Sequence, residues 1–174
     1  MEFKRNNLAG GDTGLILLAE DRQDDVLLIK KAFAQLSIVN PLHVVRDGEE
    51  LIFYLEGIGR YSNRGEFPLP DLLLLDLKMP KVDGFEALQW IRNHPSLKRL
   101  RVIVLTASED IHHANKAYRM GANSFLVKPL EFENLTALTR TMAEFWIEHS
   151  SKPRVERSDI PDVANESIPN QEDR

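Results

Sequence analysis

The sequence lacks cysteine altogether, so disulfide bridges, thiolate metal sites and cysteine nucleophiles are excluded. Its longest aliphatic runs, at residues 15–19 and 72–75, fall far short of the roughly 18 apolar residues that a membrane helix requires. The stretch after Met1 also has no apolar segment of the kind found in a secretory signal. We therefore expect a cytoplasmic protein without a membrane partner.

Positive charge is also in short supply. Lysine and arginine number 22 against 27 aspartates and glutamates, so the formal net charge is −5. A protein that binds nucleic acid usually presents a positive field to the phosphate backbone, and this balance does not supply one. The apolar share of 43% and the charged share of 28% are those of a folded globular protein, and 174 residues suffice for one full-sized domain.

Five short apolar segments predict β-strands at residues 15–19, 42–46, 72–75, 102–105 and 125–127. Segments with helical spacing separate them: one behind a possible cap at Asp24, one through Leu51, Leu55 and Ile58, one around residues 85–91, and one at 111–120 that ends at Gly121. A last helix is predicted over about 132–148. This alternation predicts an α/β fold of five βα units, doubly wound, with a five-stranded parallel sheet in the order 2-1-3-4-5.

The same pattern predicts the organisation of the chain. Residues 1–13 form an N-terminal extension, residues 14–150 the α/β domain, and residues 151–174 a polar, flexible tail with few large apolar side chains. Within the domain, glycine and proline punctuate residues 57–70, which predicts a long loop.

Residues whose side chains could bind a metal or take part in a reaction follow four of the predicted strands. An acidic pair follows the first strand, an aspartate the third, a threonine the fourth and a lysine the fifth. In chain order these residues are Glu20 and Asp21, Asp76, Thr106, and Lys128 before Pro129. Ligands bind outside the carboxyl ends of the strands of such sheets, so all of these side chains are expected to face one cleft.

Three clustered carboxylates repel one another unless a cation lies among them, and all-oxygen ligands suit Mg²⁺ or Mn²⁺. Asp76 could then act as a nucleophile toward phosphorus, with Thr106 and Lys128 neutralising the phosphoryl oxygens. Each residue alone also has a plain structural explanation, such as a helix cap, a strand exit or a surface lysine. Their occurrence in order at successive strand ends favours the site.

Four stretches together resemble the receiver domain of two-component response regulators, over about residues 15–148. They are Leu17-Leu18-Ala19-Glu20-Asp21, residues 70–80 with Asp83-Gly84, Val104-Leu105-Thr106-Ala107-Ser108, and residues 121–129 with Phe125-Leu126-Val127-Lys128-Pro129. The resemblance implies a phosphoacceptor rather than an enzyme, which takes part in its own phosphorylation and dephosphorylation. It implies the following roles: Asp76 as phosphoacceptor; Glu20, Asp21, Asp76 and the Lys78 backbone carbonyl around Mg²⁺ or Mn²⁺; Thr106 and Lys128 around the phosphoryl group; Thr106 and Phe125 as the switch; and a cis peptide at Lys128-Pro129.

The long loop before the third strand and the sequence Phe145-Trp146-Ile147 are similar to stand-alone receivers paired with bacterial phytochrome histidine kinases. That similarity implies a sensor histidine kinase or histidine phosphotransfer domain as partner, and a homodimer through the fourth-helix and fifth-strand face. Because only the tail follows residue 148, we expect the output to pass through protein contacts.

Two alternatives remain open on the sequence. One is a receiver-fold scaffold that works without phosphorylation. The other is a phosphatase of the haloacid dehalogenase type, which needs a second aspartate two residues after the nucleophile as general acid and base. That position is Lys78, which cannot do this while protonated.

Overall fold

The computed structural model describes residues 14–35, 38–107 and 111–128. Along these residues lie β1 (Ile16–Ala19), α1 (Gln23–Gln35), β2 (Leu42–Val45), α2 (Gly48–Glu56), a 3-10 turn (Gly59–Tyr61), β3 (Leu72–Leu75), α3 (Gly84–Asn93), β4 (Arg101–Thr106), α4 (Ile111–Arg119) and β5 (Ser124–Val127). Each predicted strand is present, with its ends within one residue of the prediction. The N-terminal extension, the last predicted helix, the Lys128-Pro129 peptide and the tail lie outside the described residues.

The five strands form one parallel sheet in the order β2-β1-β3-β4-β5. In its register, Ala19 at the end of β1 lies between Val45 of β2 and Leu75 of β3, and Leu75 in turn pairs with Val104 of β4. The doubly wound fold predicted from the alternation is therefore confirmed. β1 and β3 are neighbours, so the chain segments that follow them leave the sheet side by side.

Side chains alternate between the two faces of the sheet because successive residues of a strand point in opposite directions. One face packs against α2, α3 and α4, and the other packs against α1. On the α1 face, Val26, Ile29 and Phe33 cover Leu18 and Leu74. Since both faces are covered, the central strands are continuous apolar runs, as the sequence indicated.

Short polar residues and glycine define the ends of the middle helices. The Asp47 side chain accepts a hydrogen bond from the Glu50 N–H at 2.7 Å, and Gly57 ends α2 in the left-handed region at φ 73°. At α3, Asp83 and Glu86 form a reciprocal capping box. The start of α3 is therefore fixed by the residues that follow the candidate site.

Two details differ from the sequence predictions. α1 begins at Gln23, so Asp24 lies inside the first turn instead of capping it. The reason is that the Val26 N–H already donates to the Arg22 carbonyl at 3.1 Å. α2 ends before Ile58, which the spacing had placed on a helical face, because Gly57 terminates the helix; Ile58 is 49% exposed.

The long loop predicted at residues 57–70 is present, but it contains the 3-10 turn and buries Tyr61. Within the described residues, none of the helices has the length and apolar character that a membrane crossing demands.

Candidate functional site

Three carboxylates lie together at the carboxyl edge of the sheet. Glu20 and Asp21 follow β1, Asp76 follows β3, and one oxygen from each lies within 4.8 Å of the other two. Glu20 is fully buried and Asp76 is 4% exposed, whereas Asp21 is open to solvent. The set offers oxygen atoms alone, which is the donor chemistry preferred by Mg²⁺ and Mn²⁺.

The backbone of the sheet carries these acids into place. The Asp76 N–H donates to the Ala19 carbonyl at 3.0 Å, and the Glu20 N–H donates to the Val45 carbonyl at 3.0 Å. These hydrogen bonds continue the parallel ladders by one residue beyond β1 and β3. Adjacent strands therefore hold two like charges close together, which costs free energy unless a cation compensates them.

The turn after Asp76 is closed by a glycine. A Cβ atom at Gly84 would lie 2.2 Å from the Asp76 carbonyl oxygen, closer than any side chain can approach. The Gly84 N–H donates to the Leu77 carbonyl at 3.0 Å. Any larger residue at this position would push the first turn of α3 away from the acceptor loop, so Gly84 helps to set the geometry around Asp76.

Lys128 brings the positive charge of the site from the end of β5. Its backbone N–H donates to the Thr106 carbonyl at 2.7 Å. Its Nζ atom donates hydrogen bonds to Glu20 and, at 3.1 Å, to Asp25, and it lies 3.3 Å from Asp76 Oδ1. The side chain of Lys128 is only 11% exposed, so these charges interact with little screening.

Asp25 was not singled out in the sequence, although it contacts Lys128 directly. The available signal was its spacing: it follows Asp21 by four residues, which is about one turn if a helix begins between them. That signal is weak, because acids in the first turn of a helix are common for their interaction with the helix dipole.

Burial and charge pull the pKa values in this cluster in different directions. Burial raises the pKa of Glu20 to about 7, although Lys128 opposes the shift. Burial also raises the pKa of Asp76, again against the effect of Lys128. For Lys128, burial lowers the pKa, but the charges of Asp76 and Glu20 and the hydrogen bonds of Nζ outweigh it, so its pKa is raised. A divalent cation that binds Glu20 near neutral pH would therefore compete with a proton.

Thr106, Phe125 and Lys78 occupy different environments around this cluster. Thr106 is the last residue of β4 and is fully buried. Phe125 is half-buried on β5 and packs against the core on the face that carries α3 and α4. Lys78 has an exposed side chain two residues after Asp76. The roles that the resemblance implies for all three remain predictions.

The geometry agrees with what comparison with known proteins finds. The family described as the response regulator receiver domain matches residues 16–140. The chain belongs to this family. The expectation of a receiver domain, drawn from residues 15–148, is confirmed.

The similarity to individual relatives covers nearly the whole length of each relative. The probable methanogenesis regulatory protein FilR2 of Methanothrix harundinacea is 36% identical, over 84% of this chain and 92% of FilR2. The phosphorylated cyanobacterial phytochrome response regulator RcpA is 34% identical, with a TM-score of 0.73 over 81% of this chain and 98% of RcpA. The Mn²⁺-bound form of the response regulator Rcp1 also has 34% identity and a TM-score of 0.73, over 81% of this chain and 99% of Rcp1, a protein of Synechocystis. The predicted resemblance to phytochrome-linked receivers is thus confirmed.

Proposed function

We propose that this protein accepts a phosphoryl group on Asp76 and passes the signal on through protein contacts. The observation that carries the proposal is the position of Asp76: it is nearly buried, shares a 4.8 Å cluster with two further acids, and lies 3.3 Å from the Lys128 ammonium. A structural aspartate would be less costly at the surface. Here the carboxyl group is buried beside the groups that a phosphoryl transfer needs.

In the proposed reaction, a carboxylate oxygen of Asp76 forms a bond to the phosphorus of a phosphohistidine. The P–N bond breaks, its electron pair returns to the imidazole nitrogen, and that nitrogen is protonated from solvent. The product is an acyl phosphate on Asp76. Because the transition state is loose, the main task of the protein is to position the partners and to compensate the charge on the phosphoryl oxygens.

Glu20, Asp21 and Asp76 fit a divalent cation, and the Lys78 backbone carbonyl is our candidate for a further ligand. Bound Mg²⁺ or Mn²⁺ would neutralise one phosphoryl oxygen. Lys128 neutralises a second oxygen from the end of β5. The Thr106 hydroxyl donates a hydrogen bond to the third from the end of β4. Support for the metal comes from the all-oxygen donor set and from the Mn²⁺-bound relative Rcp1.

The signal leaves the site through α4 and β5. Thr106 moves toward the phosphoryl group, and Phe125 turns into the space that it vacates. On this face Ile111 is 65% exposed and Tyr118 is 51% exposed, and the Phe125 N–H donates to the Tyr118 hydroxyl at 3.2 Å. This hydrogen bond joins the backbone of β5 to Tyr118 on the surface of α4, where we place the homodimer contact.

A sensor histidine kinase or a histidine phosphotransfer domain is the proposed donor. The relative RcpA supports a link to a phytochrome kinase, because it is described as a phytochrome response regulator. FilR2 is described as a probable methanogenesis regulatory protein, so the relatives do not share one described role. The proposed phosphohistidine donor therefore rests on membership of the receiver family and on the groups around Asp76.

The test is phosphate incorporation from labelled acetyl phosphate with Mg²⁺. We expect label in the wild type and none in Asp76→Asn, which is nearly isosteric and should keep the fold. Asp24→Asn is the matched control, since it removes the same charge at an exposed position of α1. It should incorporate label as the wild type does.

Three results would overturn the proposal. Label that persists in Asp76→Asn would mean that another residue is the acceptor. A wild type that takes up no label, from acetyl phosphate or from a phosphorylated histidine kinase, would favour the phosphorylation-independent scaffold. Hydrolysis of phosphate monoesters in many turnovers per chain would favour the phosphatase, which the exposed Lys78 at the general acid position argues against.

A further inference from the structure

The ammonium of Lys128 contacts one carboxylate that the proposed reaction does not use. Glu20 and Asp76 belong to the cluster that can hold a cation, whereas Asp25 does not. Asp25 Oδ2 accepts a hydrogen bond from Lys128 Nζ at 3.1 Å across 103 positions of sequence. This is a tertiary contact between the first turn of α1 and the end of β5, and local helix chemistry does not explain it.

The carboxylate of Asp25 is held firmly in place. It stands on α1, whose neighbouring residues Val26 and Ile29 are buried against the sheet. Among the described residues, Arg22 is a second cation near it, with its Nε atom 4.0 Å from Asp25 Oδ2 on a side chain that is 66% exposed. An exposed pair at that distance contributes little, so Lys128 is the partner that matters for Asp25.

The three contacts of Lys128 respond differently when a cation binds. A lysine ammonium has three N–H donors, and here hydrogen bonds go to Glu20 and Asp25 while Asp76 lies 3.3 Å away. A divalent cation held by Glu20, Asp21 and Asp76 would repel the ammonium from Glu20, because both would then share one carboxylate. Asp25 lies outside the cation cluster and keeps its full charge for Lys128.

We propose that Asp25 is a positioning residue for phosphoryl transfer, which holds the Lys128 ammonium beside Asp76 once a divalent cation occupies the acidic cluster. The inference rests on the proposed function of Asp76. A lysine stem has four rotatable bonds, so an ammonium without a fixed partner spends less time in the productive orientation. Asp25 acts through Lys128 and does not touch the phosphoryl group.

The experiment compares the rate of phosphorylation by acetyl phosphate at saturating Mg²⁺. We expect Asp25→Asn to be slower than the wild type by about fivefold, a size common for coupled charged neighbours. Asp24→Asn is the matched control, because Asp24 is also an acid in the first turn of α1 but is exposed, and the ion pairs described for Lys128 do not include it. It should keep the wild-type rate.

Two further measurements separate positioning from a general structural effect. The Mg²⁺ dissociation constant of Asp25→Asn, measured by calorimetry, should stay within about twofold of that of Asp24→Asn, since the lost charge lies outside the cation cluster. Asp25→Glu, which keeps the charge, should recover more than half of the rate that Asp25→Asn loses. Asp25→Gln, whose side chain is as long as that of glutamate but uncharged, should not. If Asp25→Asn melts at a much lower temperature than Asp24→Asn, the comparison of Asp25→Glu with Asp25→Gln replaces it as the test.

Any of three outcomes would overturn the inference. Asp25→Asn could match the rate of Asp24→Asn; its deficit could vanish at Mg²⁺ concentrations far above those that saturate the wild type; or Asp25→Glu could be as slow as Asp25→Gln. These outcomes leave the proposed function intact, because Asp76 would still take up label. If Asp76→Asn were labelled as well, the proposed function would fail first.

Discussion

Two regions of the molecule bury polar groups, and they satisfy them in different ways. In the loop at residues 57–70, the Arg64 guanidinium donates to the carbonyls of Tyr54 at 2.7 Å, Leu55 at 2.5 Å and Phe67 at 3.2 Å. One side chain thus closes the end of α2 and fixes the loop beneath it. The region needs nothing from outside the chain.

Tyr54 completes that network. It is 1% exposed, its hydroxyl donates to the Pro68 carbonyl at 3.0 Å, and His43 Nδ1 lies 2.8 Å from the same hydroxyl. The rings of Tyr61 and Phe67 pack around it with centroids 4.9 and 6.1 Å away. Burial raises the pKa of Tyr54, so the hydroxyl stays neutral and remains a donor.

At the carboxyl edge of the sheet, by contrast, one ammonium faces three carboxylates and a fourth lies close by at Asp21. Within the part of the chain that the structure describes, one ammonium contacts three of these four carboxylates, which is too little positive charge to neutralise them all when they are ionised. The comparison teaches that the polar groups of the loop are satisfied within the fold, whereas the edge keeps a cluster of carboxylates that the proposed function would use to hold a cation.

The largest effect that sharpens this comparison is expected from Lys128→Ala in metal-free protein. Removing the ammonium leaves buried carboxylates without compensation, which should cost about 3 kcal/mol of unfolding free energy near pH 8. Added Mg²⁺ should raise the unfolding free energy of the variant by more than it raises that of the wild type, because it supplies the missing positive charge. Urea unfolding with and without Mg²⁺ measures both. A loss that Mg²⁺ leaves unchanged would contradict the explanation.

The matching change in the loop is Arg64→Ala. It removes three hydrogen bonds to buried carbonyls and should cost about 2 kcal/mol. Here Mg²⁺ should restore nothing, and the phosphorylation rate should stay at the wild-type value. Arg60→Ala is the control, since its side chain is 68% exposed and its ion pair with Glu50 should contribute less than about 1 kcal/mol. Equal losses in the two variants would show that Arg64 does not have the role described.

A smaller effect concerns pH at the sheet edge. Because the pKa of Glu20 is raised to about 7 in the metal-free fold, Mg²⁺ must displace a proton from it at lower pH. The Mg²⁺ affinity should therefore be flat above pH 8 and fall as the pH drops through 7, approaching about tenfold per unit. Calorimetric titrations from pH 5.5 to 8.5 would measure it. An affinity that does not change until about pH 4.5, the ordinary range of a glutamate, would contradict the raised pKa.

The sequence was informative where a charged or polar side chain directly follows a strand. The ends of β1, β3 and β5 could be predicted because apolar runs give way to Glu20, Asp76 and Lys128, and parallel strands bring their ends to one edge. Thr106 was expected to follow β4 directly. In the structure β4 is one residue longer at this end, and Thr106 is its last residue. Topology alone thus gave the outline of the site.

The sequence was uninformative where the result depends on how long side chains cross between elements. The contacts of Asp25 with Lys128, and of Arg64 with the end of α2, join residues whose separation carries no periodic signal. Arg92 is a third case: it donates to the Leu100 and Gly121 carbonyls, each at 2.8 Å, and ties α3 to the turn after α4. Rotamers of such side chains are decided by packing, which no local pattern records.

The smallest expected effect concerns the lifetime of the acyl phosphate. Water must reach phosphorus in line with the Asp76 oxygen, and the residue two positions later borders that approach in our proposal. Lys78 is exposed at this position, and it can either shield the phosphoryl group or stabilise charge that develops during hydrolysis. Because a loose transition state adds little charge to the peripheral oxygens, we expect shielding to dominate.

Lys78→Asn should therefore shorten the lifetime of the phosphorylated protein, by about threefold, since a hydrated ammonium covers the group only part of the time. Asparagine is short and neutral, so it neither blocks the path of water nor holds the phosphoryl oxygens. Loss of label after removal of acetyl phosphate measures the lifetime, and Lys98→Asn, which removes an exposed lysine from the segment after α3, controls for net charge. If Lys78→Asn loses label at the wild-type rate or more slowly, Lys78 does not shield the phosphoryl group, and the lifetime is set by the buried walls of the site alone.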